Sequence, residues 1–255
     1  ATILAEQSLH LSEQGSNLDG IAFSLNFLGS CAKAQGKYDL CRGYFERAVN
    51  AYRAVKDEVG AAMVLNNLGN LLQLIEDFEG AFVCYQQSSE IFKAQDHMHG
   101  AATTLANAGK LAIKHGNFDL ARTMLNESLS MKRKINDRRG EAVALTGLGD
   151  IDLILDNLAE AEDYLSNALR LSQAIEDVQM SLDIITAMGE LKLKQSEIEL
   201  AQNLVSYIAS HEGVAEEARQ RNIRLLKNYN LSLEKIGAWN GKSVNEVILL
   251  IYGKA

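Results

Sequence analysis

The sequence predicts an all-α protein made of stacked helical hairpins, and three observations predict it. Leu28-Gly29, Leu68-Gly69, Ala108-Gly109, Leu148-Gly149 and Met188-Gly189 recur every 40 residues, and Gly20, Gly60, Gly100 and Gly140 keep the same step. A fixed period of this size marks a stacked-repeat architecture and not a closed globular domain. Within a unit, Leu65, Leu68 and Leu72 follow helical spacing, a turn intervenes, and Phe78, Ala81, Phe82 and Tyr85 resume it, so each unit reads as a helical hairpin. The chain has no proline, and its 47% hydrophobic content argues against disorder, leaving Gly, Asn and Asp to make the turns.

The net charge of -8 argues against contact with nucleic acid or with an anionic membrane, since both need basic surface. No apolar run approaches the roughly 18 residues of a membrane span, and Ala1-Thr2-Ile3-Leu4-Ala5-Glu6 lacks the pattern of a signal peptide. A cytoplasmic protein is expected. The cysteines Cys31, Cys41 and Cys84 are odd in number and lack metal-ligand spacing, which predicts free, mostly buried thiols.

At the amino end, Leu4, Ser8, Leu9 and Leu11, then Asn17, Asp19 and Gly20, match the second helix of a unit whose first helix is absent. Residues 1–20 are therefore a half repeat, expected to belong to a longer protein, and its open side is a candidate for self-association. Five units follow, at about 21–60, 61–100, 101–140, 141–180 and 181–210. Their inner turns fall at Gly36-Lys37-Tyr38-Asp39 and in register at 76–79, 116–119, 156–159 and 196–199. Between units, Asp57, Asp137 and Asp177 are N-caps, while His97 breaks the series and Asp96 is expected to stand in for it. Gly29, Gly69, Gly109, Gly149 and Gly189 fall inside helices, where Gly costs about 1 kcal/mol against Ala. Helices packed too closely for a Cβ explain that recurrence. Residues 211–255 leave the register and predict capping helices over 214–228, 231–239 and 244–252, the last N-capped by Ser243.

The spacing Leu65, Leu68-Gly69, Leu72, Phe78, Ala81, Tyr85, Ser88 resembles the tetratricopeptide repeat (TPR), and the neighbouring units match it. The resemblance implies a right-handed α-solenoid of such hairpins with a C-terminal helical cap, acting as a non-catalytic protein-binding module. Two departures stand out: the period is 40 residues where the basic repeat has about 34, and no unit closes on proline. Longer second helices are expected to absorb the difference. Versions of this length resemble animal polarity scaffolds that hold extended peptides and the C-terminal sensor arrays of bacterial ATP-dependent (LuxR/STAND-type) transcriptional regulators. The run Ala238-Trp239-Asn240-Gly241-Lys242-Ser243 looks like the tail that closes many of those sensor arrays.

In such a stack the first helices line the concave side. Asn66, Asn70 and Gln73 share one helical face, and in register with it run Asn26 and Ser30, Lys110, Thr146 and Asp150, and Glu190. Side-chain amides pair with both backbone N–H and C=O groups, so Asn66, Asn70, Asn67 and Asn107 suit an extended peptide; the alternative is that they bond neighbouring helices and hold the units in step. Lys110 and Lys114 make the middle of this face basic, and Asp150, Asp183 and Glu190 make its far end acidic, which complements a partner of mixed charge. The chaperone-binding TPR proteins resemble one another in a lysine one turn before the Asn70 position, where this chain has Asn66. Phe23, Phe27 and Met63 are read as inter-repeat packing, with an apolar pocket as the alternative.

The candidate partner contacts are thus Asn26, Ser30, Met63, Asn66, Asn70, Gln73, Asn107, Lys110, Lys114, Thr146, Asp150 and Glu190, and the partner is a protein or an extended peptide. No cofactor or metal is implied. Gly237 to Ser243 imitates a phosphate loop but is one residue short and sits among helices. His97-Met98-His99 lacks further ligands and reads as solvated loop. The basic run Lys132-Arg133-Lys134 complements a helix C-terminus on a solvated face. No cysteine gains a histidine partner, and Asp150, Asp152 and Asp156 lack the glycine turn of a calcium loop, so a non-enzyme is expected; for a resemblance to the bacterial helical-repeat phosphatases no catalytic residue can be named. Two alternatives remain: an oligomerisation array with an empty groove, or a regulator like the helical-repeat peptide-pheromone sensors.

Overall fold

In the computed structural model, residues 2–214, 216–229, 239 and 241–252 are described, and their regular structure is all helical. The chain divides into two compact units, Ala1–Ile135 and Asn136–Ala255. The first holds α1 (Thr2–Gln14), α2 (Leu18–Ala34), α3 (Tyr38–Ala54), α4 (Glu58–Leu74), α5 (Phe78–Ala94), α6 (Met98–Lys114) and α7 (Phe118–Lys134). The second holds α8 (Arg138–Ile154), α9 (Leu158–Ala174), α10 (Val178–Lys194), α11 (Ile198–Ser210), α12 (Glu216–Asn228) and α13 (Val244–Ile251). Hairpins α2/α3, α4/α5 and α6/α7 stack side by side in the first unit, as do α8/α9 and α10/α11 in the second.

The extra residues of the 40-residue period do not go to the second helices alone. Every helix from α2 to α10 has 17 residues, first and second alike. The turns explain this equality. The N–H of Gly36 donates to the carbonyl of Lys33 and that of Lys37 to Ala32, both at 3.0 Å, the bonding of a Schellman stop with a left-handed residue at its centre. Gly36 and Gly116 hold that left-handed place at φ 71°, where a residue without Cβ carries no strain.

At most turns the next residue both closes one helix and opens another; Lys37, Asn157 and Glu197 have no side-chain cap. Asp57 donates its N–H to Tyr52 O at 3.0 Å and accepts at Oδ1 from the Gly60 N–H at 2.8 Å. Asn17, Asp77, Asn117, Asp137 and Asp177 make the same side-chain cap. At the fourth such turn inside the first unit, Asp96 does not stand in for the missing acid. Asp96 occupies the left-handed position at φ 52° that closes α5, so its side chain comes one residue too early. His97 is the cap: its Nδ1 accepts from the Gly100 N–H at 3.1 Å, and its ring stacks on Phe92 with centroids 5.0 Å apart. It is an exposed loop residue, as expected, but with a structural role as the cap.

The interior glycines mark close approaches, as their recurrence predicts. A Cβ on Gly29 would stand 2.5 Å from the Phe45 ring, on Gly69 2.6 Å from Tyr85, on Gly109 2.9 Å from Leu125 and on Gly149 2.8 Å from Leu165. In each hairpin the large side chain of the second helix lies against the bare backbone of the first. Phe45, Tyr85, Leu125 and Leu165 are fully buried as a result. In the second unit the ammonium of Lys192 is buried as well, and donates to Glu162 at 2.7 Å and to Glu197 and Gln195 at 2.9 Å, joining α9, α10 and the start of α11. Lys132, expected in solvent, is buried and donates to Thr103 Oγ1 at 2.8 Å.

At the carboxyl end, α12 is described over Glu216–Asn228, within its expected range. The helix expected over 231–239 lies outside the described residues, apart from the buried Trp239. α13 opens with a capping box between Ser243 and Glu246, the latter's carboxylate accepting from the Ser243 N–H at 2.7 Å.

Two glycine substitutions separate packing from propensity. Gly69→Ala is expected to destabilise the chain by about 1–3 kcal/mol, because the Tyr85 ring must shift. Gly43→Ala, inside α3 with nothing within 4 Å of the new Cβ, should stabilise by up to about 1 kcal/mol. Urea denaturation of both variants reads the signs; equal signs would reject the close-approach account.

Candidate protein-binding surface

In the first unit the side chains beside the buried stripe of each first helix form the candidate surface. On α2 these are Phe23, Asn26, Phe27 and Ser30; on α4, Met63, Asn66, Asn67, Asn70 and Gln73; on α6, Asn107, Lys110 and Lys114. Positions three, four and seven apart lie on one face of a helix, so each set is a single stripe. Phe23 is 65% exposed, Phe27 42% and Met63 44%, so these three are not the inter-repeat packing their hydrophobicity suggested. They stand in solvent beside the asparagines.

The amides join successive first helices. Asn67 Nδ2 donates to Asn26 Oδ1 at 3.2 Å, from α4 to α2, and Asn107 Nδ2 donates to Asn66 Oδ1 at 3.0 Å, from α6 to α4. Each pair spans 41 residues, one more than the period, so the second position of the stripe in one helix meets the first in the previous helix. Asn70 and Gln73 converge on a different group: the buried Tyr85 hydroxyl, 2.8 Å from Asn70 Oδ1 and 3.2 Å from Gln73 Oε1. Burial pushes the Tyr85 phenol well above its usual range, so it remains a neutral hydroxyl. Each of these amides uses one half of its bonding capacity on the fold. Among the described residues, the Nδ2 donors of Asn26, Asn66 and Asn70 and the Oδ1 acceptors of Asn67 and Asn107 make no hydrogen bond. Ser30 turns its hydroxyl onto Asn26 O in its own helix, and Lys110 and Lys114 are exposed on α6.

In the second unit the same stripe is acidic and carries a side chain of the chain itself. Thr146 bonds to Ala142 O one turn back in α8. Asp150 of α8 and Glu190 of α10 share Arg221 of α12, which approaches Glu190 Oε2 to 2.8 Å and Asp150 Oδ1 to 3.3 Å. Burial opposes the charge on this guanidinium, but the two carboxylates more than offset it and raise its pKa. No sequence spacing pointed to Arg221, because its partners lie 31 and 71 residues away and no motif fixes them.

The other candidates have structural roles or none here. Of the phosphate-loop imitation, Gly237, Ala238 and Asn240 lie outside the described residues, while Ser243 caps α13. Burial raises the Cys41 and Cys84 thiols to about 11, which keeps them protonated and unreactive. Among the described residues no helix is long and apolar enough to cross a membrane.

Two overlapping stretches, residues 20–94 and 61–134, match the tetratricopeptide repeat family. Residues 20–134 are tetratricopeptide repeats. No curated protein matches the chain. Solved structures extend the TPR fold over nearly all of it. The structure of BtubC (BKLC) from P. vanneervenii superposes with a TM-score of 0.69 at 12% identity, over 95% of this chain and 94% of that one. The apo form of RapI gives 0.71 at 12% identity, over 98% of this chain and 68% of RapI. A Rap protein complexed with competence and sporulation factor gives 0.65 at 14% identity, over 91% of this chain and 64% of that protein. The TPR fold is generally a non-catalytic module for protein interaction.

The asparagine pairing has a measurable consequence for stability. In a double-mutant cycle, Asn66→Ala and Asn107→Ala are expected to couple by about 0.5–1.5 kcal/mol. Chemical denaturation of the four chains gives the coupling, and independent effects would show that the pair does not join α4 to α6.

Proposed function

We propose that the chain binds an extended segment of a partner protein along the first-helix face of its repeats, in the first unit across α2, α4 and α6. The observation that carries this reading is the exposure of Phe23, Phe27 and Met63 on one face, beside amides with donors and acceptors to spare. Burying one such side chain contributes about 1.5–3 kcal/mol, and the amides satisfy a backbone whatever its sequence. Lys110 and Lys114 favour acidic residues in the segment that reaches α6. A Rap protein of the same fold is complexed with competence and sporulation factor, which supports a ligand of this kind. On resemblance to bacterial sensor arrays, we place the module in a larger signalling or transcriptional regulator.

Selection of a random peptide library against the intact chain, then calorimetry of an enriched peptide, tests the surface. Phe27→Asp should weaken binding at least tenfold and Asn70→Ala about threefold or more, while Val83→Asp, exposed on the second helix α5, should leave it unchanged. Failure to enrich any peptide, or loss with Val83→Asp but not Phe27→Asp, rejects the placement.

A second reading, self-association through α1, is favoured by Leu4 and Leu11, both largely exposed. It predicts concentration-dependent sedimentation that Leu4→Glu with Leu11→Glu abolishes; a monomer at every concentration excludes it.

A further inference from the structure

The stripe that is open on α2 and α4 is covered on α10. There Thr186, Ala187 and Leu193 are buried, whereas Asn66, Asn67 and Gln73, in register on α4, are only half-buried. The cover is α12. Its Arg221 donates through Nε to Glu190 at 2.9 Å and through Nη1 and Nη2 to Asp150 at 3.3 Å, and its Asn222 reaches Thr186 Oγ1 at 3.5 Å. Asp150 and Glu190 hold one register position on successive first helices, so a single guanidinium spans two repeats. Planar and bidentate, it suits such a pair better than an ammonium would.

α12 is poorly made for permanent burial. Six of its 13 residues are charged, and its buried side chains among those described are Ala218, Asn222 and Leu225. By contrast, α11 buries Leu204, Val205, Tyr207 and Ile208 in the same unit. Asn222 is fully buried, and among the described residues its Oδ1 has no hydrogen-bond partner, a lack it shares with Ser206 Oγ and the Tyr207 hydroxyl of α11. A buried amide oxygen left without a partner works against the seat it occupies. The Arg221 clamp therefore carries a large share of what holds α12 down.

We propose that α12 is a built-in competitor, which fills the first-helix face of the second unit and is displaced by a partner segment bringing its own arginine to Asp150 and Glu190. This rests on the reading of first-helix faces as docking surfaces. The partner is a cationic, arginine-bearing peptide, and its apparent affinity is lowered by the fraction of chains in which α12 is seated. Specificity follows from the same geometry: a segment without arginine cannot remake the contacts to Asp150 and Glu190 that Arg221 makes.

The test uses Arg221→Gln and two readouts. Amide hydrogen exchange across 216–229 should accelerate at least tenfold, with α8 and α10 unchanged within twofold. A fluorescent synthetic peptide with the sequence of residues 216–229 should bind Arg221→Gln at least tenfold more tightly than the unmutated chain. Adding Asp150→Asn and Glu190→Gln should abolish that gain. Should Arg221→Gln loosen α8 and α10 as well, the unmutated chain decides: raising salt from 0.05 to 0.5 M should speed exchange in α12 but not in α10. Unaltered exchange in α12, or equal peptide binding by both chains, overturns the proposal and makes α12 a fixed cap. The peptide selection on α2 and α4 reads other residues, so its failure would leave this result standing, and the reverse holds too.

Discussion

A turn falls every 20 residues, and at most of these turns one residue closes a helix with its backbone and opens the next with its side chain; the regularity of the fold leans on that double use, with Lys37, Asn157 and Glu197 closing without a side-chain cap. Asp57 shows both halves, its N–H on Tyr52 O and its carboxylate on the Gly60 N–H. With the stop and the start fused, no helix can grow at the expense of its neighbour. Each runs 17 residues, or about 25 Å at 1.5 Å per residue. Equal lengths then bring Gly29 to Phe45 and Gly69 to Tyr85 in the same way, and set the first-helix stripes at one height within the first unit.

Much of this was legible in the sequence because it rests on local chemistry. The glycines announced their close contacts, since no other reason keeps Gly inside a helix at a fixed step. The period of 40 was visible, but the finer step of 20 was not, because the residue at that step is Asn17, Lys37, Asp57, Asp77, His97 or Asn117 by turn and no single residue type holds it throughout. His97 misled for a related reason: an imidazole nitrogen accepts from a helix amide as a carboxylate does, and the adjacent Asp96 drew attention away. Lys132, Lys192 and Arg221 were illegible because their partners are distant in the chain, and a basic residue on a helix gives no sign of which neighbour will cover it.

The candidate surface shows where patterning stops short. Phe23, Phe27 and Met63 are hydrophobic, and hydrophobicity alone assigns them to the interior; only the packed helices reveal that their stripe has nothing above it. The asparagines posed the opposite problem, a choice between joining repeats and holding a partner. They do the first with one half of the amide, Asn67 to Asn26 and Asn107 to Asn66, and the other half remains. The choice was never exclusive. In the second unit the position of Asn70 is held by Asp150 and Glu190, and there the chain supplies its own cation.

The diagonal of those asparagine pairs bears on ancestry. Since Asn67 and Asn107 occupy the same place in consecutive hairpins, excising one hairpin of 40 residues would set Asn107 against Asn26, where Asn67 had been. The joint would carry the same two side chains and the same polarity. A gene coding for such a chain can drop or duplicate a hairpin by unequal recombination and still encode a well-formed seam. Length is then free to drift, and natural selection acts on how far the surface reaches without having to reinvent what holds it together.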